Sequence, residues 1–377
     1  MEKVGIVGYY QLKPELDIMM SPYEAIFTAV RGALDSAGLK RKDIGTVVTC
    51  TNDYYDGKTI SNCFKVEAGG AYMKDETKVE MDGAHAAMYG LYRILSGNHK
   101  LAVIYGFSMP SCYNYEPVRI LELDPTFDRT MNVLNPYTAL AMQMRAYIKT
   151  FGVSEEDIAK VAAQNYKNSA KNSLALAEAK KSDITAQDVL NSEVLSSPLR
   201  ELMYPIPCDG VTAMILAPEK QSLNITDKPV WITGAGQCQE TYYLGDRDLS
   251  ISVSMEKAAE KAYKMAGISD PKSEIDVAEI FGHTSCQELI LAEAAQLSER
   301  GKGVSLLDSG PSLNPSGGAM SAFTPCACGL TRIMEAAKQL RGEADGHQIS
   351  GAKKAIATGQ VGFCAQNNVI YVLEGGG

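Results

Sequence analysis

The chain holds 377 residues, more than one minimal core requires, so two or three units of ordinary size are expected. Hydrophobic residues make up 45% and charged residues 21%, globular values that exclude a disordered chain. With 36 basic against 45 acidic residues the net charge is −9, which argues against a broad grip on nucleic acid or an anionic membrane. A local basic spot for a phosphate-bearing ligand stays open. No apolar run reaches the ~20 residues that span a bilayer. The opening Met1-Glu2-Lys3-Val4-Gly5-Ile6-Val7 enters a strand at once, without a signal-peptide pattern. The expectation is a cytoplasmic protein. Nine cysteines, an odd number in a long chain, read as buried thiols rather than a disulfide scaffold. Cys326-Ala327-Cys328 is too tight for a zinc knuckle, and no metal site is expected.

The predicted elements begin with the strand Val4-Gly5-Ile6-Val7-Gly8. Ser21-Pro22 then starts a helix with a capping serine and a first-turn proline. Its apolar residues Ile26, Ala29, Val30, Ala33 and Leu34 follow helical spacing, and it stops at Ala37-Gly38. Lys42-Asp43-Ile44 leads into the strand Thr46-Val47-Val48-Thr49-Cys50. A helix over 83–95 ends at Ser96-Gly97, before the strand Leu101-Ala102-Val103-Ile104-Tyr105. A long segment, 108–207, interrupts this half. It carries helices over 138–151 and 155–170, separated by Gly152-Val153-Ser154, a C-cap followed by an N-cap. An insertion of this size on a rigid scaffold suits a substrate-covering lid or a plain packing subdomain. The strand 211–216 closes the first half.

The second half repeats the plan: strand Val230-Trp231-Ile232-Thr233-Gly234, a helix from Ser254 stopping at Ala266-Gly267, then Ser273-Glu274-Ile275-Asp276 and the strand Val277-Ala278-Glu279-Ile280-Phe281. A helix over 329–340 and the strands Ala355-Ile356-Ala357-Thr358 and Val369-Ile370-Tyr371-Val372-Leu373 finish it. Two such blocks in register indicate a duplicated α/β unit. Near-continuous apolar strands imply sheets covered on both faces, with helices outside and between two sheets. The expected units are 1–107 plus 208–225, the insertion 108–207, and 226–377.

Asn314-Pro315-Ser316-Gly317-Gly318-Ala319, the run from Glu335 to Ala344, and Ala355-Ile356-Ala357-Thr358 resemble the C-terminal signature of the thiolase superfamily. Tyr137-Thr138-Ala139-Leu140-Ala141 and the run from Phe151 to Ala159 resemble the insertion of its sterol-carrier-type and archaeal branch. The resemblance implies a duplicated five-layer αβαβα sandwich with a large insertion in the first half. It also implies a coenzyme A thioester (acyl-CoA) substrate, making or breaking of a carbon–carbon bond, and a dimer around a two-fold axis. In that family a helix-tip cysteine, a Gly-His-Pro histidine, a second cysteine and an asparagine or histidine meet at one pocket.

None of these four groups stands at its expected position. Gly83 takes the nucleophile's place when aligned on the approach to the helix, and Glu80 when aligned on the helix end. Thr324 replaces the histidine, Phe281 the asparagine or histidine, and Gln360 the second cysteine. Candidates for remaining chemistry are His85, His283 and the carboxylate of Glu80, with Asp82 beside it. His99 and His347 read as solvated. Cys286, Cys326, Cys328 and Cys364 fall near the pocket loops, where one is a candidate displaced nucleophile. Ser316, Gly317 and Gly318 correspond to the family's pantetheine-side stretch and are the candidate cofactor-binding residues.

Three functions stay open. One is an acyl-CoA lyase of aldol type acting without a cysteine acyl-enzyme. Thiolase-like aldolases of this kind work with a small zinc-ribbon and OB-fold accessory protein. Another is a catalytically silent subunit paired, as homodimer or heterodimer, with a thiolase-like chain. The third is an acyltransferase using a displaced cysteine.

Overall fold

The structure is a computed structural model that describes residues 3–376. Ten strands form one continuous sheet: β1 Val4–Gln11, β2 Thr46–Cys50, β3 Asp75–Val79, β4 Ala102–Ser108, β5 Gly210–Pro218, β6 Val230–Gln239, β7 Val277–Glu279, β8 Ser312–Leu313, β9 Lys354–Val361 and β10 Asn367–Gly375. Their order is β8-β7-β9-β10-β6-β1-β5-β4-β2-β3. The order reads the same from either end, each half being two parallel pairings followed by antiparallel ones. This symmetry is the duplication seen in the sequence. The sequence leads one to expect two sheets. Here the halves are joined edge to edge through Val4–Ile232, Gly5–Trp231 and Ile6–Val230, because β1 and β6 lie antiparallel at the centre.

Helices fill three layers. α1 Pro22–Ser36 covers the outer face of the first half, starting at Ser21 through a capping box with Glu24. α2 Gly83–Leu95 lies inside. The insertion contributes α3 Pro136–Phe151 and α4 Glu155–Ser169, the latter capped by Ser154. α5 Val253–Ala266 and α6 Ser285–Ala294 cover the outer face of the second half, and α7 Cys328–Arg341 joins α2 in the middle layer.

Strand alternation assigns the faces. Val47, Val103 and Ile215 point outward to Ile26 and Val30 of α1, whereas Val48, Ile104 and Leu216 point inward to the cluster of α2 and α7. The second half repeats this: Ile356, Ile370 and Val372 face α5 and α6, and Ala355, Ala357 and Tyr371 face the middle layer. With both faces covered, the strands are apolar at nearly every position. A separate cluster packs α3 and α4 against Cys286, Leu289 and Ile290 of α6, which fixes the insertion to the second half.

Two buried polar clusters hold the C-terminal half together. Arg332 of α7 pairs with Glu279 at 2.7 Å, and Ser316 Oγ donates to the same carboxylate at 2.7 Å. His347, expected to be solvated, is instead buried against Glu335 of α7 at 2.9 Å. A carboxylate sealed in the middle layer needs a donor, and the turn after α7 brings His347 back to it. Burial alone would raise the Glu335 carboxyl, but Lys338, His347 and Arg332 hold it at about 2. His99 is half-buried beside Asp75 at 3.2 Å. Among the described residues no helix is long and apolar enough to cross a membrane, and the nine cysteines are unpaired.

Glu288 of α6 is buried with Asn165 of α4 donating to one oxygen at 2.7 Å. Burial pushes its carboxyl up to about 8. The folded state therefore holds a proton that the unfolded chain releases near pH 4.3. Stability contributed by this group falls as pH rises between those two values, by up to about 5 kcal/mol. Glu288→Gln is expected to flatten the fall in urea midpoint between roughly pH 5 and 8 and to raise stability at the alkaline end. An unchanged slope would exclude Glu288 as its source.

Candidate active site

A cavity of about 380 Å3 opens where the N-termini of α2 and α7 meet. The loops after β2, β7 and β9 and the start of the insertion complete its wall. Asp82 organises this corner. As N-cap of α2 it accepts from Ala84 N at 2.9 Å, and its second oxygen accepts from Gly329 N of α7 at 2.9 Å. Burial pushes its carboxyl up to about 6, while these backbone donors and Arg332 pull it back.

The helix starts at Gly83, so Gly83 occupies its tip and Glu80 lies before it. No side chain fits at that tip. A Cβ on Gly83 would stand 2.7 Å from Leu330 Cβ and 3.1 Å from the Cys326 carbonyl oxygen. Glu80 lines the cavity from its exposed rim and pairs with Lys78.

His283 is on the wall and buried. Its Nδ1 contacts Gln360 Nε2. Its backbone N–H donates to Gln287 Oε1 at 2.8 Å, and Gln360 donates to the same oxygen at 3.2 Å. Gln287 in turn donates to Gln143 of α3 at 2.9 Å, so the insertion braces this network. Burial, and then the charge of Arg119, hold the His283 imidazole well below its ordinary value, so it is neutral. His85 is not on the wall. It sits behind it, its Nε2 3.1 Å from Oδ1 of Asn367, a wall residue. Burial lowers its pKa to about 4.

Phe281 lines the cavity and packs with Phe323 and the His283 ring. Thr324 does not reach the wall: it is buried with its Oγ1 3.7 Å from Cys208 Sγ. Ser316, Gly317 and Gly318 also lie outside the lining. Ser316 is tied to Glu279 and Arg332. Gly317, at φ +93, is pressed against α4, where a Cβ would strike Ser169 Oγ. Close packing of the insertion, not ligand approach, accounts for glycine there.

Of the four cysteines singled out, Cys326 is on the wall, at φ +63 in the turn before α7. Cys286, Cys328 and Cys364 are buried, and burial pushes their thiols up. Among the described residues no cluster of three or more His, Cys, Asp or Glu is placed to hold a metal.

Sequence reasoning missed the aromatic wall. Tyr55 and Tyr115 line the cavity and pack with Tyr113, which lies outside the lining and stacks on Tyr55 at 5.2 Å. Arg119 and Glu122 follow on the short helical segment Tyr115–Arg119 and the turn after it. The available signal was Tyr113-Asn114-Tyr115-Glu116-Pro117-Val118-Arg119, an aromatic and charged run soon after a parallel strand, where α/β proteins place ligand-binding loops.

Comparisons with known proteins bear on the family and the fold. Residues 236–374 match the family model for the thiolase C-terminal domain-like region. The acetyl-CoA acetyltransferase of Methanothermobacter thermautotrophicus is 27% identical, over 99% of this chain and 100% of that one. Sterol carrier protein 2 of Gallus gallus is 30% identical over 56% of this chain and 40% of that protein's length. Among solved structures, the Ltp2-ChsH2(DUF35) aldolase shares the fold with a TM-score of 0.84 at 20% identity, covering 99% of this chain and 97% of that one. Together these likenesses support membership of the thiolase superfamily.

Gly83→Cys is expected to place no usable thiol at the helix tip. Overpacking against Leu330 should cost about 1–3 kcal/mol. Intact-protein mass after incubation with acetyl-CoA should show no acyl group on residue 83. A folded variant acylated there would show that the corner has room for a nucleophile.

Proposed function

We propose that this chain binds acyl-CoA thioesters and makes or breaks a carbon–carbon bond by aldol-type chemistry, without a cysteine acyl-enzyme. The observation that carries this reading is the pairing of a side-chain-free helix tip at Gly83 with a neutral, buried His283 on the same cavity wall. Thiolysis needs a carrier for the acyl group. Retro-aldol cleavage needs a base and stabilisation of an enolate. In the cleavage direction, His283 takes the proton of a β-hydroxyl on Nδ1, once the substrate displaces the Gln360 N–H that this nitrogen accepts in the unliganded chain. The Cα–Cβ bond breaks, its electrons form the thioester enolate, and a carbonyl compound leaves. Protonation at Cα then yields the shorter acyl-CoA. Gln360 contacts the imidazole at Nδ1, and Gln287 holds both Gln360 and the His283 backbone N–H.

The relatives named as acetyl-CoA acetyltransferase and the fold neighbour named as an aldolase are consistent with an acyl-CoA ligand. A partner is part of the reading. β3 is an edge strand, and Tyr54, Phe64, Tyr72, Met73 and Tyr92, on segments flanking it in sequence, are exposed. Such an edge suits pairing with a second thiolase-like chain. A small zinc-ribbon and OB-fold accessory protein is proposed on the likeness to the Ltp2-ChsH2(DUF35) aldolase, which is named for a DUF35 component. Cys326 favours a second reading, a displaced-cysteine acyltransferase, because it is among the residues that line the cavity.

Purified protein incubated with a β-hydroxyacyl-CoA is expected to release a shorter acyl-CoA and a ketone or aldehyde, followed by mass spectrometry. His283→Gln should lower the rate by about 10²–10⁴, and Cys326→Ser should leave it unchanged. An acyl adduct on Cys326, lost in Cys326→Ser together with activity, would establish the acyltransferase instead. Turnover only after adding a second thiolase-like chain, indifferent to His283→Gln, would identify a silent subunit.

A further inference from the structure

The start of the insertion seals a cation into the cavity wall. Arg119 is 1% exposed. Its Nε donates to Glu122 Oε1 at 3.3 Å, and that oxygen also accepts from Tyr55 Oη at 2.9 Å. The guanidinium carbon lies 4.7 Å from the Phe363 ring centroid and 5.6 Å from that of Tyr115. Nη1 is buried with no acceptor among the described residues. An unmet buried donor is costly, more so when it is charged. Arg119 is among the residues that line the cavity, so a ligand seated there is the available source of an acceptor once the guanidinium turns toward it.

The charges around the cavity decide which acceptor. The other charged residues of the wall are Glu80, Asp82, Glu122 and Asp128, all acids. Arg119 is already balanced by Glu122. A second carboxylate on the acyl group would add net negative charge to this wall and be repelled. A neutral carbonyl oxygen meets no such penalty at binding, and it gains from the cation as it becomes an enolate oxygen. The positive charge of Arg119 reaches His283, so the cation and the base act on one space.

Resting on the acyl-CoA reading above, we propose that Arg119 is the oxyanion-stabilising catalytic residue, donating a free guanidinium N–H to the thioester carbonyl oxygen while the enolate forms. Arg119 keeps its proton throughout. The electrons come from the breaking Cα–Cβ bond, and the β-hydroxyl proton goes to His283. Glu122 and the two flanking rings set the orientation of the guanidinium.

The test uses acetoacetyl-CoA, whose enolate has its own ultraviolet absorption band, with the full-length protein. Bound acetoacetyl-CoA is expected to enolise at lower pH than the free compound. Arg119→Gln should reduce the bound enolate roughly 10- to 100-fold at a fixed pH, while binding of coenzyme A itself, measured by calorimetry, persists. Arg119→Lys should recover only part, since an ammonium does not reproduce the fork. Should Arg119→Gln fail to fold, Glu122→Gln supplies the opposite sign. It leaves Arg119 in place and removes its counter-charge, so the bound enolate should increase. Binding with an enolate fraction indifferent to the substitutions overturns the role of Arg119 alone. Absence of binding of both acetoacetyl-CoA and coenzyme A by the unaltered chain overturns the acyl-CoA reading, and this inference with it.

Discussion

One carboxylate ties the two middle-layer helices together. Asp82 caps α2 with one oxygen and receives the Gly329 N–H of α7 on the other. Two helix N-termini, each with partial positive charge, converge on the same buried anion. Their meeting point is the cavity corner. Were that anion absent, two sets of backbone donors would be left unmet in a dry layer. The duplicated halves are thus joined twice, by the β1–β6 edge pairing and by this shared cap.

The family phrases in the C-terminal half serve packing more than ligand contact. Asn314 accepts from Ile280 N at 2.6 Å and donates to Ile280 O at 3.1 Å, which locks the loop after β7 to the loop after β8. Ser316 and Arg332 share Glu279, and Gly317 lets α4 approach closely. These contacts hold the loop that carries Phe281 and His283.

The insertion does more than cover the cavity. Its helices are welded to α6 by an apolar cluster, and Gln143 reaches the Gln287–His283–Gln360 chain. Its opening turn supplies Tyr115, Arg119 and Glu122 to the wall. The wall is aromatic and cationic there, and the helix tip at Gly83 has no room for a side chain.

The fold was legible in the chain because periodicity and punctuation are local. The strand–helix–Ala-Gly rhythm occurs twice, Ser21 and Ser154 cap where their spacing says they should, and the helix over 83–95 forms with those limits. The absence of any cysteine between Cys63 and Cys112 was likewise written in the residues themselves. Which of His85 and His283 reaches the cavity was not, since two buried histidines with similar neighbours differ only in what folds across them. The burial of His347, the retreat of Thr324 and the exclusion of Ser316–Gly318 from the wall follow from helices packed far apart in sequence. So does the position of Arg119, whose partners Tyr55 and Phe363 lie 64 residues before it and 244 after it in the chain. Local pattern determines elements and their order; the electrostatics of a site depend on which side chains are desolvated together, and only the tertiary structure decided that.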